Sequence, residues 1–190
     1  YLFTHFTSGE TGDKEQIWFS VSYDGLHWQD IGCEKPVLTS NSGTKGIRDP
    51  FILFDEKQKK YFIIATDLLT TSGSWDDFAN RGSRSLLVWE SEDLINWSEE
   101  RLVEVGIPEA GCVGAPEVVY DSQEKLYYMF FSATPSADTV TTGKGVLTGN
   151  GKELLYVATS KYPDRGFRLV NFKNASSCGE DNLHNFNKTA

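Results

Sequence analysis

Ser22-Tyr23-Asp24-Gly25-Leu26-His27-Trp28 returns 69 residues later as Ser91-Glu92-Asp93-Leu94-Ile95-Asn96-Trp97, and that interval constrains the fold more than any single residue does. The run just before the second copy, Leu87-Val88-Trp89-Glu90-Ser91, recurs at the same step as Tyr156-Val157-Ala158-Thr159-Ser160. Another pair of segments keeps a step of 66: Asp49-Pro50-Phe51-Ile52 precedes Tyr61-Phe62-Ile63-Ile64, and Ala115-Pro116-Glu117-Val118 precedes Tyr127-Tyr128-Met129-Phe130. Self-similarity on this scale is the mark of stacked supersecondary units. A chain of 190 residues holds fewer than three of them.

Each unit reads as strands. Ile17 to Val21, Phe51 to Phe54, Tyr61 to Ala65, Leu86 to Trp89, Val118 to Tyr120, Leu126 to Phe131 and Leu154 to Ala158 are short apolar runs bounded by polar turns, and no long stretch keeps a helical period. Charged hairpin loops, Asp55 to Lys60 and Asp121 to Lys125, separate the first two strands of successive units. Asp24-Gly25 is a strong turn signal. The spacing predicts four antiparallel strands per repeat, which describes a propeller blade. The connections Asp67 to Ser85 and Thr134 to Glu153 are rich in Gly, Ser, Thr and Asn, and loops of that length in a compact repeat are usually functional or disordered.

Counting strands gives the outer half of a closing blade over residues 1–45, one full blade over 46–110 and most of another over 111–172. A polar tail follows over 173–190. Propellers have about four to eight blades. The chain is therefore expected to be the N-terminal part of an all-β propeller that needs further blades, or a partner chain, to close.

Composition narrows the function classes. A net charge of −9 argues against nucleic acid or an anionic membrane as partner, because both demand basic surface. No apolar run approaches the roughly 20 residues of a membrane span. Twelve Phe, eight Tyr and five Trp suit pleated, half-buried surfaces and sugar-facing walls. The first residue is Tyr1, which reads as the start of a mature or trimmed product. Sequons at Asn96, Asn174 and Asn187 fit a secreted glycoprotein, with Asn96 a poor acceptor because it lies inside a repeated turn. Cys33, Cys112 and Cys178 show neither a disulfide framework nor zinc spacing, and His5, His27 and His184 show no metal spacing.

Gly46-Ile47-Arg48-Asp49-Pro50-Phe51-Ile52 is the most specific segment. Pro50 fixes its own φ and pushes Asp49 toward an extended conformation, which would aim the carboxylate in one direction from the mouth of an inner strand. Read alone, Asp-Pro is an ordinary turn; its place in the repeat puts it at a strand start instead.

That segment resembles glycoside hydrolase family 43 when taken in order with three others. These are Tyr61-Phe62-Ile63-Ile64-Ala65-Thr66-Asp67, Ser91-Glu92-Asp93-Leu94-Ile95-Asn96-Trp97, and Ala115-Pro116-Glu117-Val118 followed by Tyr127 to Ser132. The resemblance covers roughly residues 17–167. It implies a five-bladed propeller, of which this chain holds about the first half, and inverting hydrolysis of arabinofuranosyl or xylosyl linkages in plant cell-wall polysaccharide. By position, Asp49 would be the general base. Glu117 would be a carboxylate bordering the pocket, where Gly114 stands in place of a customary Trp. The tuning aspartate and the acid glutamate would lie on later blades.

An inverting glycosidase needs its base and its acid on opposite faces of the sugar, about 6.5–9.5 Å apart. The isolated chain is therefore expected to be weakly active or inactive. Arg48 and Trp75 are the candidate substrate-binding residues; Trp75 sits beside Asp76 and Asp77 in the long connection. No cofactor is expected, and an axial structural calcium is left open.

Two alternatives stand. In a family 32-like fructosidase, Arg48-Asp49-Pro50 would stabilise the transition state and Glu117 would donate the proton. In a non-catalytic propeller, the same surface would bind carbohydrate or a partner. As structural elements, Asp24 and Asp93 would serve their own turns, Trp28 and Trp97 would pack between blades, and Glu117 would pair with Arg48 or another base.

Overall fold

The computed structural model describes residues 1–8, 15–105, 110–135 and 154–170. Its strands form three antiparallel sheets. The N-terminal sheet orders β1 (Leu2–His5), β2 (Trp18–Val21) and β3 (Gln29–Ile31). The central sheet runs β4 (Ile47–Asp55), β5 (Lys60–Asp67), β6 (Ser85–Ser91) and β7 (Arg101–Glu104). The third repeats that meander with β8 (Ala110–Asp121), β9 (Leu126–Pro135), β10 (Leu154–Ser160) and β11 (Arg168–Leu169).

Equivalent hairpins close with equivalent chemistry. Asp55 accepts the Lys57 N–H at 3.0 Å, and Lys59 takes a left-handed φ of 55°. In the next sheet Asp121 accepts the Gln123 and Glu124 N–H groups at 2.7 and 3.0 Å, and Lys125 has φ 57°. A short carboxylate at the loop start thus replaces the backbone partners that the turn removes.

The core lies between sheets, on both faces of the central one. Ile63 and Ala65 of β5 pack with Ile17 and Phe19 toward the N-terminal sheet, while Ile64 packs with Met129 and Phe131 toward the third. Covered on both sides, Phe62 to Ala65 are wholly buried, which explains why β5 reads as a continuous apolar run instead of an alternating one. Each large side chain so buried contributes about 1.5–3 kcal/mol.

Polar clasps join the two larger sheets as well. The Tyr127 hydroxyl donates to Asp55 Oδ1 at 2.7 Å, and Arg101 pairs with the buried Asp164 at 2.7 Å. Four-stranded meanders stacked face to face in this way are blades, and the chain is a partial β-propeller.

Several expectations need correction. The N-terminal sheet has a third strand, β1, whose residues pair with β2 from Leu2↔Val21 to His5↔Trp18, where only outer strands were expected. The last blade is complete in strand number, although β11 is only two residues long. The strand expected near Trp97 begins at Arg101; Trp97 itself makes an isolated bridge with Ser91.

The connection after Asp67 is not a plain loop, since it carries α1 (Trp75–Arg81). Ser74 caps that helix by accepting the Asp77 N–H, Asp76 and Asp77 sit in its first turn and Arg81 in its last, a charge order that suits the helix dipole. Seven residues are too few to display a helical period. The tail 173–190, the sequons at Asn174 and Asn187, Cys178 and His184 lie outside the described residues.

Trp97 packs edge-on against Phe19 across the first two sheets, whereas Trp28 rests on Phe3 within its own sheet and stays 44% exposed. Asp24 and Asp93 serve their turns as expected. Each accepts two backbone N–H groups, from Leu26 and His27 and from Ile95 and Asn96, and hydrogen bonds to the His27 and Asn96 side chains complete the arrangement. These bonds hold both carboxyls well below the usual carboxylate range, the N–H groups of His27 and Asn96 foremost.

Candidate active site at the inner-strand bulges

Asp49 and Pro50 lie within β4, not before it. The ladder to β5 pairs Arg48 with Thr66 and resumes at Phe51 with Ile64, so two residues on β4 face one, Ala65, on β5. That is a β-bulge, and Pro50, which has no N–H to give the ladder, is tolerated there. The same break occurs in β8 between Gly114 and Glu117, around Ala115-Pro116.

Asp49 and Ala115 share a φ of 48°. The extended conformation expected for Asp49 is therefore wrong. The bulge turns the backbone into the left-handed region, and it is this turn that swings the carboxylate out of the sheet. Non-glycine residues in this region cost about 1–2 kcal/mol each.

Both bulges border one cleft of about 210 Å³, lined by Arg48, Asp49, Thr66 and Asp67 of the central blade and by Gly114 and Ala115 of the next. Trp75 and Phe78 of α1 form its rim. The Thr66 hydroxyl donates to Asp49 Oδ2 at 3.0 Å and accepts the Ala115 N–H at 2.7 Å. Gly114 permits this approach, since a Cβ there would stand 3.1 Å from Thr66 Cγ2. A larger residue at 114 would press on the Thr66 side chain that joins the two bulges.

Asp67 is buried and already committed. Its Oδ1 accepts both the N–H and the hydroxyl of Thr44 at 2.8 Å, which fastens the segment leading into β4. Gly43 is needed there, at φ 54° with the Asp67 carboxylate only 2.2 Å from where a Cβ would stand.

Arg48 is held from three sides. Glu15, fully buried, accepts its Nη1 at 2.7 Å along with the N–H and hydroxyl of Thr70 at 2.9 and 2.6 Å. The guanidinium lies 4.5 Å from the Phe6 ring centroid and 5.7 Å from that of Trp75. Trp75 is 66% exposed and meets Phe78 edge-on at 6.0 Å, so much of the indole still faces solvent.

Asp49, Arg48 and Trp75 therefore meet at one cleft. Glu117 does not join them. Immediately after the bulge, where the ladder resumes, it pairs in register with Phe130, is exposed, and is absent from the cleft lining, while Arg48 pairs with Glu15 instead. Thr66, Glu15 and Phe6 were not singled out in the sequence. Thr66 reads as an ordinary β-branched strand residue, and Glu15 lies 33 residues from its arginine. No group of three or more His, Cys, Asp or Glu side chains that could hold a metal occurs among the described residues. Chemically, the cleft offers one carboxylate to accept a proton, one fixed cation and one indole face.

The family model described as "Probable glycosyl hydrolase domain", related to glycoside hydrolase family 43, matches residues 1–181. An alpha-L-arabinofuranosidase of Bifidobacterium longum subsp. longum is 36% identical over 146 residues, which are 73% of this chain and 14% of that protein. A solved thermostable family-43 glycoside hydrolase is 25% identical over 70% of this chain and 35% of its own, with a TM-score of 0.44. The family-32 β-fructofuranosidase of Bombyx mori aligns over 90% of this chain and 34% of its own, with a TM-score of 0.57 at 16% identity, a likeness of fold. The chain thus spans about a seventh of the curated relative's length and about a third of each solved one. On the family model's match, this chain belongs to the family-43-related glycosyl hydrolase domains.

Proposed function

We propose that this chain supplies the general base, Asp49, of an inverting glycosidase acting on arabinofuranosyl or xylosyl linkages of plant cell-wall polysaccharides. The observation that carries the reading is the bulge of β4, which delivers one carboxylate into a cleft rimmed by Arg48 and Trp75. An ionised Asp49 would draw a proton from the attacking water, Arg48 would donate to sugar hydroxyls, and the free indole face would stack on a sugar ring. Support for arabinofuranosides within that pair comes from the curated relative's name.

The protonated acid must stand on the sugar's opposite side, about 6.5–9.5 Å from the base. Among the described residues, the other cleft carboxylate is Asp67, and its hydrogen bonds hold it to Thr44. Following the family resemblance, the acid is assigned to blades outside this chain, and turnover to the polypeptide that includes them. Glu117, outside the cleft, lacks the position a family 32-like proton donor would need. Action outside the cell is part of this reading and rests on the sequons; Asn96 is the least suited of them, since its Nδ2 donates to Asp93 at 2.7 Å.

The test is Asp49→Asn in the natural full-length polypeptide, assayed with aryl arabinofuranosides and xylosides and by NMR of the product anomer. General base assistance is worth about 10²–10⁴-fold. A fall in kcat of that size with inverted product supports the reading. Wild-type rates from the variant, retained configuration, or no hydrolysis of either pentoside would refute it.

A further inference from the structure

We propose that Thr66 is a positioning residue for Asp49, one that passes the orientation of the neighbouring blade's backbone to the base. The inference rests on the assignment of Asp49 as the base, and the geometry supplies the rest. A hydroxyl carries one proton and two lone pairs. The Ala115 N–H, 2.7 Å away, can only donate, so it occupies a lone pair of Oγ1. That leaves the Thr66 proton for Asp49 Oδ2 at 3.0 Å. The direction of the chain is thereby fixed: peptide N–H to hydroxyl, hydroxyl to carboxylate.

Two consequences follow for catalysis. Thr66 is 5% exposed and ties one carboxylate oxygen in place from the floor of the cleft. Among the described residues Oδ1 has no hydrogen bond, which leaves that oxygen as the one to receive the water's proton. Asp49 also sits at a φ of 48°, a conformation that persists where surrounding contacts hold it. The tether from Thr66 is such a contact, and its far end belongs to the next blade. The base is oriented only when the two blades are in register.

Thr66→Ser, Thr66→Cys and Thr66→Val in the full-length polypeptide test this, with kcat, KM and the melting temperature measured for each on the aryl pentoside that the wild type cleaves. Ser keeps the donor, Cys offers a weak one and Val offers none. Misplacing a catalytic group by about 1 Å can cost about 10²-fold, so kcat is expected to fall by about 10–100-fold in Val and less in Cys, with KM little changed and Ser within a few-fold of wild type.

Val also leaves the Ala115 N–H without its acceptor, which destabilises that variant. Should Val fail to fold, the Ser and Cys pair carries the same comparison, and kcat must follow donor strength and not melting temperature. Wild-type kcat in Cys or Val, or a loss in Ser as large as in Val, overturns the proposal. Asp49→Asn separates the two readings. If that variant is inactive while Thr66→Val is fully active, the base stands and the relay falls. An active Asp49→Asn removes both.

Discussion

Removing the Tyr127 hydroxyl tests whether the polar clasp between blades stabilises the fold. In Tyr127→Phe the ring still fills its place among Met129, Val118 and the neighbouring blade. What disappears is one 2.7 Å bond to Asp55, a carboxylate 3% exposed that also accepts the Lys57 N–H at 3.0 Å and the Gln58 amide at 2.7 Å. A hydrogen bond to a charged group contributes about 1.5–3 kcal/mol. For a chain of 150–250 residues each kcal/mol moves the melting point by about 2–4 °C, so a fall of about 3–12 °C is expected near neutral pH.

The pH dependence gives a second, sharper arm. Burial opposes ionisation of Asp55, but the Tyr127, Gln58 and Lys57 donors outweigh it and lower its pKa. A carboxyl whose folded pKa is depressed contributes stability above its unfolded pKa of about 4, and loses that contribution as pH falls through the folded value. The gap between wild type and Tyr127→Phe should therefore be widest at neutral pH and shrink in acid. Burial, with the Asp55 acceptor next, also raises the Tyr127 pKa, so the hydroxyl stays a donor throughout that range. Circular dichroism melts of both proteins across the acid range read the gap directly. A variant within about 0.5 kcal/mol of wild type at neutral pH, the usual scatter of inert substitutions, refutes the argument. So does a gap of constant size down to acid pH.

Two more perturbations probe the cleft's supports. Glu15→Ala strips Arg48 of its buried counter-charge and Thr70 of its acceptor, and breaking such a pair costs about 3–5 kcal/mol; urea unfolding should show it, and a loss below about 1 kcal/mol, typical of surface pairs, would place the pair effectively in solvent. Gly82→Ala puts a Cβ where the Phe78 carbonyl oxygen lies 2.2 Å away; α1 must shift, at about 1–3 kcal/mol, and changed fluorescence of Trp75 should accompany the loss, whereas an unchanged spectrum and stability would rule the clash out.

The parts of the fold that were legible are those whose physics is local or periodic. The inner strands announce themselves because both faces of β5 are covered, so Tyr61 to Ala65 is apolar without interruption. The hairpins at Asp55 and Asp121 announce themselves because a short carboxylate there has a turn to cap. Strands β1 and β11 leave no trace: Leu2-Phe3-Thr4-His5 and Arg168-Leu169 are edges in which neither alternation nor burial has enough residues to leave a pattern. Helix α1 left only its cap, Ser74 followed by Asp77. At the site, Asp49 could be found because Pro50 marks a special backbone position. Thr66 could not, since its importance depends on register with Arg48 and on a peptide N–H 49 residues away in the next blade.

The pseudo-equivalence of Asp49 and Ala115 separates what the bulge does for the fold from what it does for chemistry. Both residues precede a proline, both interrupt an inner strand at the same place, and both stand at a φ of 48°. Alanine derives nothing catalytic from that strained conformation, so the bulge at Ala115 must be retained for its backbone, and its N–H is the group aimed at Thr66. One blade thus contributes a carboxylate and the next a peptide dipole, from the same local geometry, with a single threonine between them. A carboxylate at position 115 would add a negative charge to a 210 Å³ cleft that Asp49 and Asp67 already line, and each would disfavour ionisation of the others.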